Sequence, residues 1–276
     1  MTAAPDWLGR VGDVWAAEWR RTDRSFGDLA RQLNAAILRA APESGIAIDI
    51  GCGAGNTSLA LATARPQCSV TGIDLSPPLV MVASDRAKDH PNLSFRVEDA
   101  ENLGELRADL LVSRHGLMFF MNPVVGFSSL RRATKPGGRL VFSCFRSRRD
   151  NEWSRVVEQA IGNPTVPPAR YTPGPYALAD RDFTAHVLGC SGWIDATVQA
   201  ANYRYVAGAG EDPLEDAIDF LSRIGPAARL LAEAPPAQRV ELVASLRAAL
   251  APHVLDDAVT FAAGAWIWTA TAGEPL

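Results

Sequence analysis

Residues 46–145 alternate between short apolar runs and segments with helical signals, and this alternation constrains the fold more than any other feature. The runs "IAIDI", "CSVTGIDLS", "LSFRVEDA", "ADLLVSR" and "RLVFSCF" predict five strands. One intervening helix is predicted to begin at Ser76, an N-cap residue followed by two prolines. Strands that alternate with helices build a mostly parallel α/β sheet, whose ligands bind at the carboxyl ends of the strands.

Outside this core the pattern is less regular. Helical segments are predicted for residues 1–40, for "NPVVGFSSLRRATKPGG" up to its Pro-Gly-Gly, for "NEWSRVVEQAIG" and "DRDFTAHVLGCSG", and for two amphipathic stretches within residues 211–253. "WIDATVQAANYRYVA" and "VTFAAGAWIWTATA" predict two further strands, and the proline-rich residues 163–180 predict an ordered loop or lid. Trp7, Val11, Trp15 and Trp19 recur every four residues, so that they share one helix face, either packed on the core or closing over a ligand.

A glycine-rich turn, "IDIGCGAGNTS", follows the first strand. Its spacing is GxGxG, whereas the dinucleotide fingerprint GxGxxG requires a glycine where this chain has Asn56. Asp49, Asp74 and Asp99 lie at the ends of three successive strands, where carboxylates can accept hydrogen bonds from an amino group, ribose hydroxyls and an adenine amino group. Because NAD enzymes also place an acid near Asp74, that residue alone does not discriminate between the two cofactors. Together these features favour S-adenosylmethionine (SAM) over a dinucleotide.

"IDIGCGAGNTS", "GIDLS", "VEDAENL", "ADLLVSRHGLMFFMNP" and "LRRATKPGGRLVFSCF" together resemble the class I SAM-dependent methyltransferases, in particular the branch similar to ubiquinone and menaquinone biosynthesis methyltransferases. The resemblance implies a Rossmann-like, seven-stranded, mostly parallel sheet with helices on both faces, an antiparallel last strand and a helical cap. It implies one domain over residues 1–276, with a helical lid (1–40), a SAM-binding core (46–145) and substrate-cap insertions (151–192 and 207–255). The implied cofactor residues are Asp49, Gly51, Cys52, Gly53, Gly55, Asp74, Leu75, Asp99, Ala100 and Ser113.

The acceptor site is expected beside these residues. His115 stands where relatives carry an aromatic residue, and it is either a catalytic base or a wall residue. The expected substrate contacts are Met118, Phe119, Trp153, Tyr171 and Tyr176. We therefore expect methyl transfer to an O, N or C atom of a small, partly apolar or aromatic molecule. The alternatives are a noncatalytic SAM-binding protein and, more remotely, an NAD-dependent oxidoreductase.

The composition of the chain restricts the kinds of partner that we expect it to bind. The net charge of −4 lacks the basic footprint of nucleic-acid binders, and no apolar stretch approaches the ~18 residues of a membrane span. The four cysteines share no CxxC spacing and are expected to be reduced thiols, and the four histidines show no metal-ligand spacing. We expect a cytoplasmic monomer or homodimer without a metal.

Overall fold

The computed structural model describes residues 7–162 and 170–274. The helices are α1 (Arg10–Ala17), α2 (Trp19–Ser25), α3 (Gly27–Ala40), α4 (Asn56–Ala64), α5 (Pro77–Arg86), α6 (Pro123–Ala133), α7 (Glu152–Ala160), α8 (Arg181–Cys190), α9 (Pro213–Arg223), α10 (Ala228–Glu233) and α11 (Pro236–Leu250). The strands are β1 (Ser44–Ile50), β2 (Gln67–Asp74), β3 (Leu93–Val97), β4 (Ala108–Arg114), β5 (Thr134–Phe145), β6 (Trp193–Ala209), β7 (Val254–Leu255) and β8 (Ala258–Ala272).

The strands form one sheet in the order β3-β2-β1-β4-β5-β8-β6, and the two-residue β7 pairs with β8 at its side. Strands β1 to β5 pair in parallel, whereas β8 runs antiparallel to both β5 and β6. The predicted fold class, with seven long strands and an antiparallel last strand, is confirmed. Leu110, Leu111 and Val112 of the central β4 are all fully buried, as expected for a parallel strand covered on both faces.

Two element boundaries differ from the prediction. Helix α6 ends at Ala133, and Pro-Gly-Gly belongs to the start of β5, because a proline at 136 disfavours the helical conformation of the residue before it. The described part of the N-terminal segment, residues 7–40, contains three successive helices instead of one continuous helix. Ser76 caps α5 as predicted, since its side chain accepts a hydrogen bond from the Leu79 N–H. Within the described ranges, no helix is long and apolar enough to cross a membrane.

Candidate functional site

A deep cavity opens at the carboxyl ends of β1, β2, β4 and β5. The glycine loop after β1 and the turns after β2, β3 and β4 form one side, and the N-terminal helices together with α7 and α9 close the other. Of the residues predicted for the site, the cavity is lined by Asp49, Gly51, Cys52, Gly53, Asp74, Leu75, Asp99, Ala100, His115, Met118, Phe119 and Trp153. The topology thus brings together side chains from five separate segments of the chain.

The glycine loop depends on a left-handed backbone. Gly51, Gly53 and Gly55 have φ angles of 62°, 53° and 80°, a region that favours glycine. A Cβ at Gly51 would lie 3.0 Å from the Gly116 Cα, so these two backbones touch. A Cβ at Gly53 would meet no atom within 4 Å and would occupy open space in the cavity. The loop therefore leaves its backbone free for close approach of a ligand.

Asp49 is a buried carboxyl with an incomplete set of partners. Its Oδ2 accepts a hydrogen bond of 2.6 Å from the Ser58 hydroxyl. Its Oδ1 is buried and has no hydrogen-bond partner among the described residues. Burial raises the pKa of Asp49 to about 7, against the opposing effects of Ser58 and Arg114. Because a nearby positive group would pair with Oδ1 and stabilise the ionised form, the residue fits a cationic ligand.

Asp74 and Asp99 hold their own turns as well as facing the cavity. The Asp74 carboxylate accepts hydrogen bonds from the Gly53 N–H (2.8 Å) and the Ser76 N–H (2.9 Å). Burial raises the Asp74 pKa, and these backbone donors oppose the shift. Asp99 Oδ1 accepts from the Glu101 N–H at 2.9 Å, which fixes the short turn after β3. Each carboxylate oxygen has a second lone pair that remains available to hydroxyl or amino donors.

His115 sits at the turn after β4 with a φ of 64°. Its ring stacks on Phe145 (centroids 4.2 Å apart) and meets the edge of Phe26 (5.2 Å). Both ring nitrogens are buried and lack a hydrogen-bond partner among the described residues. Burial, assisted by the neighbouring Arg114, lowers its pKa to about 3, so the imidazole is neutral near pH 7. No described residue hydrogen-bonds to the ring and fixes its tautomer. His115 therefore forms a flat wall of the cavity, and the edge of its ring carries two polar nitrogen atoms.

Four predicted residues do not line the cavity. The Ser113 hydroxyl instead braces the loops, donating to the Ile50 carbonyl at 2.7 Å and accepting from the Gly116 N–H at 3.2 Å. Gly55 packs against Phe95 at the start of α4.

The other two are tyrosines of the proline-rich segment, whose residues 163–169 lie outside the described ranges. The Tyr171 hydroxyl donates to the Phe120 carbonyl at 2.7 Å, and its ring stacks on Phe183. Tyr176 packs against Phe145 with Arg148 over its other side. Both tyrosines contact residues that line the cavity but do not line it themselves.

Sequence reasoning did not identify a partly buried ionic network that joins the N-terminal helices to the core. Asp23 of α2 pairs with Arg86 of α5 at 2.9 Å and with Arg114 of β4 at 3.0 Å. Arg114 also lies 3.4 Å from the Asn56 side chain, and Arg86 lies over the Trp19 ring. The partners are far apart in the chain, so spacing offered no signal. Lining residues outside the segments predicted for the site include Phe26, Phe145 and Tyr205.

Residues 48–142 match the family model described as "Methyltransferase domain". A malonyl-[acyl-carrier protein] O-methyltransferase of Ilyobacter polytropus is 31% identical over 37% of this chain and 38% of its own length. A trans-aconitate 2-methyltransferase of Methylobacterium nodulans is 28% identical over 76% of this chain and 85% of the relative. The chain spans about four tenths of the length of the first curated relatives that it matches.

Solved structures share the fold at low identity. The YcgJ protein of Bacillus subtilis aligns with a TM-score of 0.57 and 17% identity, covering 89% of this chain and 99% of that one. A phosphoethanolamine N-methyltransferase of Haemonchus contortus, solved with S-adenosyl-L-methionine, aligns with a TM-score of 0.57 and 20% identity, covering 99% and 61%. The resemblance to the class I SAM-dependent methyltransferases that was drawn from the sequence motifs is confirmed, with residues 48–142 matching the methyltransferase domain.

Proposed function

We propose that this protein transfers a methyl group from SAM to a small, partly apolar or aromatic molecule. The observation that carries the proposal is the buried Asp49 carboxylate oxygen without a partner among the described residues, next to the open backbone of Gly53. SAM carries an ammonium and a sulfonium group, which such an oxygen stabilises, whereas the pyrophosphate of a dinucleotide would be repelled. The site thus favours SAM over NAD.

The chain's own residues bind, orient and exclude water. When bound, SAM supplies an electrophilic methyl carbon and leaves as S-adenosylhomocysteine (SAH) after an acceptor lone pair displaces its sulfur. We propose that Asp49 and the glycine loop hold the methionine part, Asp74 the ribose, and Leu75, Asp99 and Ala100 the adenine. Aromatic walls keep water out and hold the acceptor near the methyl group, which supplies a large share of the rate.

We propose residues 1–40, of which 7–40 lie in the described ranges, as the lid, and residues 151–192 and 207–255 as the substrate cap. Trp7, Trp15 and Trp19 support the first part, because they line the cavity. Trp153 and Phe220 support the second part in the same way.

His115 serves in this proposal as a neutral wall and hydrogen-bonding group. An efficient general base has a pKa near the working pH, and burial holds the pKa of His115 at about 3. The acceptor atom is therefore one that is nucleophilic without deprotonation by His115. Replacing His115 with phenylalanine keeps the flat ring and tests the base role directly.

Calorimetry with SAM, SAH and NAD tests cofactor choice. We expect SAM and SAH to bind and NAD not to bind. Gly53→Ala should weaken SAH binding at least tenfold, because its Cβ would stand in the ligand space at a φ of 53°. Gly137→Ala is the matched control, since Gly137 has a φ of 78° and open surroundings but does not line the cavity. A folded protein that binds neither SAM nor SAH would refute the proposal.

Incubation with labelled SAM and a panel of phenols, amines and carboxylates tests catalysis. Label transfer to at least one acceptor is expected. Binding of SAM without transfer to any acceptor would favour the noncatalytic alternative, and binding of NAD alone would favour the oxidoreductase.

Two relatives bear names that denote acidic acceptors, a malonyl group and aconitate. We do not propose an acidic acceptor for this protein. The only arginine or lysine lining the cavity within the described ranges is Arg114, which is already paired with Asp23.

A further inference from the structure

The part of the cavity beyond the glycine loop is an aromatic chamber, which we call the acceptor compartment. Its walls are Phe26, His115, Phe145, Trp153, Tyr205 and Phe220. The rings pack against one another: Trp153 stacks on Tyr205 at 4.8 Å and lies 5.9 Å from Phe145, and Phe26 meets Tyr205 at 5.6 Å. Because these rings are in contact with one another, they form a continuous aromatic wall, and such a wall suits a flat, apolar ligand.

The acceptor compartment offers no free cation to an anionic ligand. The guanidinium of Arg114 is paired with Asp23 at 3.0 Å and lies 3.4 Å from the Asn56 side chain. The chain segments outside the described ranges (residues 1–6, 163–169 and 275–276) contain no lysine or arginine in their sequence. A carboxylate buried in this chamber would therefore lose its hydration without gaining a cationic partner.

Two side chains of the acceptor compartment carry buried polar atoms that are unpaired among the described residues. His115 and Trp153 are 8% and 6% exposed, so each is more than nine-tenths buried. Neither ring nitrogen of His115 nor the Trp153 Nε1–H has a hydrogen-bond partner among the described residues. Buried polar groups are almost always paired, and those that are not point to a missing ligand group. The Trp153 N–H requires an acceptor, and a neutral imidazole can accept or donate.

We infer that the acceptor compartment binds an uncharged ring compound carrying a hydrogen-bonding oxygen or nitrogen directed at Trp153 and His115. This inference rests on the proposed function, because it names the acceptor class of the same site. It makes His115 and Trp153 the residues that determine specificity, through the hydrogen bonds they complete with the ligand.

A matched naphthalene series, titrated into SAH-loaded protein, tests the inference by binding alone. 2-Naphthol should bind at least tenfold more tightly than naphthalene, which cannot complete the hydrogen bonds. It should bind at least a hundredfold more tightly than 2-naphthoate, whose charge would be buried unpaired. Trp153→Phe and His115→Phe each keep a ring, and each should reduce the preference for 2-naphthol over naphthalene at least threefold.

Trp266→Phe and His253→Phe are the matched controls. Trp266 donates to the Ala179 carbonyl and His253 packs on Phe261, and neither lines the cavity. Both controls should leave the preference unchanged.

The outcomes separate this inference from the proposed function. If SAH binds but 2-naphthoate binds as tightly as 2-naphthol, or none of the three compounds binds, the inference is wrong and the proposed function stands. If SAH itself fails to bind to the folded protein, the proposed function falls and the inference falls with it.

Discussion

Replacing Asp49 with asparagine should stabilise the ligand-free protein, relative to the parent, more at alkaline pH than at acidic pH. In the folded chain, burial raises the pKa of Asp49 from its ordinary value of 3.8 to about 7. The unfolded chain therefore releases the Asp49 proton at a lower pH than the folded chain does. Folding stability from this group is fully present below about pH 4, is lost as the pH rises toward 7, and stays lost above it.

The size of the effect follows from the two pKa values. Between pH 5 and pH 8 the carboxyl lowers the free energy of unfolding by about 2–3 kcal/mol, at about 1.4 kcal/mol for each pH unit over which only the unfolded state is ionised. An asparagine side chain does not titrate, so this loss disappears in the variant. Its amide oxygen can still accept from Ser58, and any cost of its buried NH₂ is the same at both pH values.

Urea unfolding of ligand-free protein, followed by circular dichroism at pH 5 and pH 8, measures the effect. The unfolding free energy of the variant minus that of the parent should be about 2–3 kcal/mol larger at pH 8 than at pH 5. Asp109→Asn is the control without a pH effect: burial opposes the shift, but Lys135 and the Ile46 N–H together lower the pKa of Asp109, so this carboxyl is ionised in both the folded and the unfolded chain at pH 5 and at pH 8. A variant-to-parent difference that is identical at both pH values would refute the reasoning about Asp49.

Two further predictions concern the same end of the molecule. Lowering the pH from 8 to 6 should weaken SAM binding about tenfold, because the ionised fraction of Asp49 falls from about 0.9 to about 0.1; calorimetry on the parent and on Asp49→Asn, which lacks this dependence, checks it. Asp23→Asn breaks two partly buried ion pairs and should lower the unfolding free energy by about 2–4 kcal/mol and speed proteolysis within residues 7–25. In contrast, Asp85→Asn, which breaks an exposed pair with Lys88, should leave the unfolding free energy and the rate of proteolysis nearly unchanged; equal losses in both variants would contradict the proposed contribution of the network.

Local sequence signals sufficed to bring the glycine loop, Asp49 and Asp74 together in the part of the cavity that we propose for SAM. The glycine loop follows a strand directly, and its left-handed turns require glycine at 51, 53 and 55 whatever lies elsewhere in the chain. Asp49 and Asp74 end parallel neighbours, so strand order alone brings them together. The fold class followed from the same strand and helix rhythm.

The rest of the cavity depends on tertiary contacts that no spacing encodes. The pairing of Asp23 with Arg114 spans 91 positions, and it exists only because α2 lies across the end of β4. Tyr171 and Tyr176 were placed in the pocket because their segment is near it, but the direction of a loop side chain is set by its partners. Phe145 could be predicted as a buried strand residue, yet its stacking on His115 arises from the φ of 64° at that histidine.

The position of β8 has a consequence for biosynthesis. Among the described strands, β6 pairs only with β8, and β8 follows it about 50 residues later in the chain. At a synthesis rate of about 5–20 residues per second, the ribosome needs several seconds to make that interval. During this time the hydrogen-bonding edges of both β5 and β6 that β8 will occupy stay open to other chains, so nascent protein should depend on chaperones until β8 has emerged and inserted.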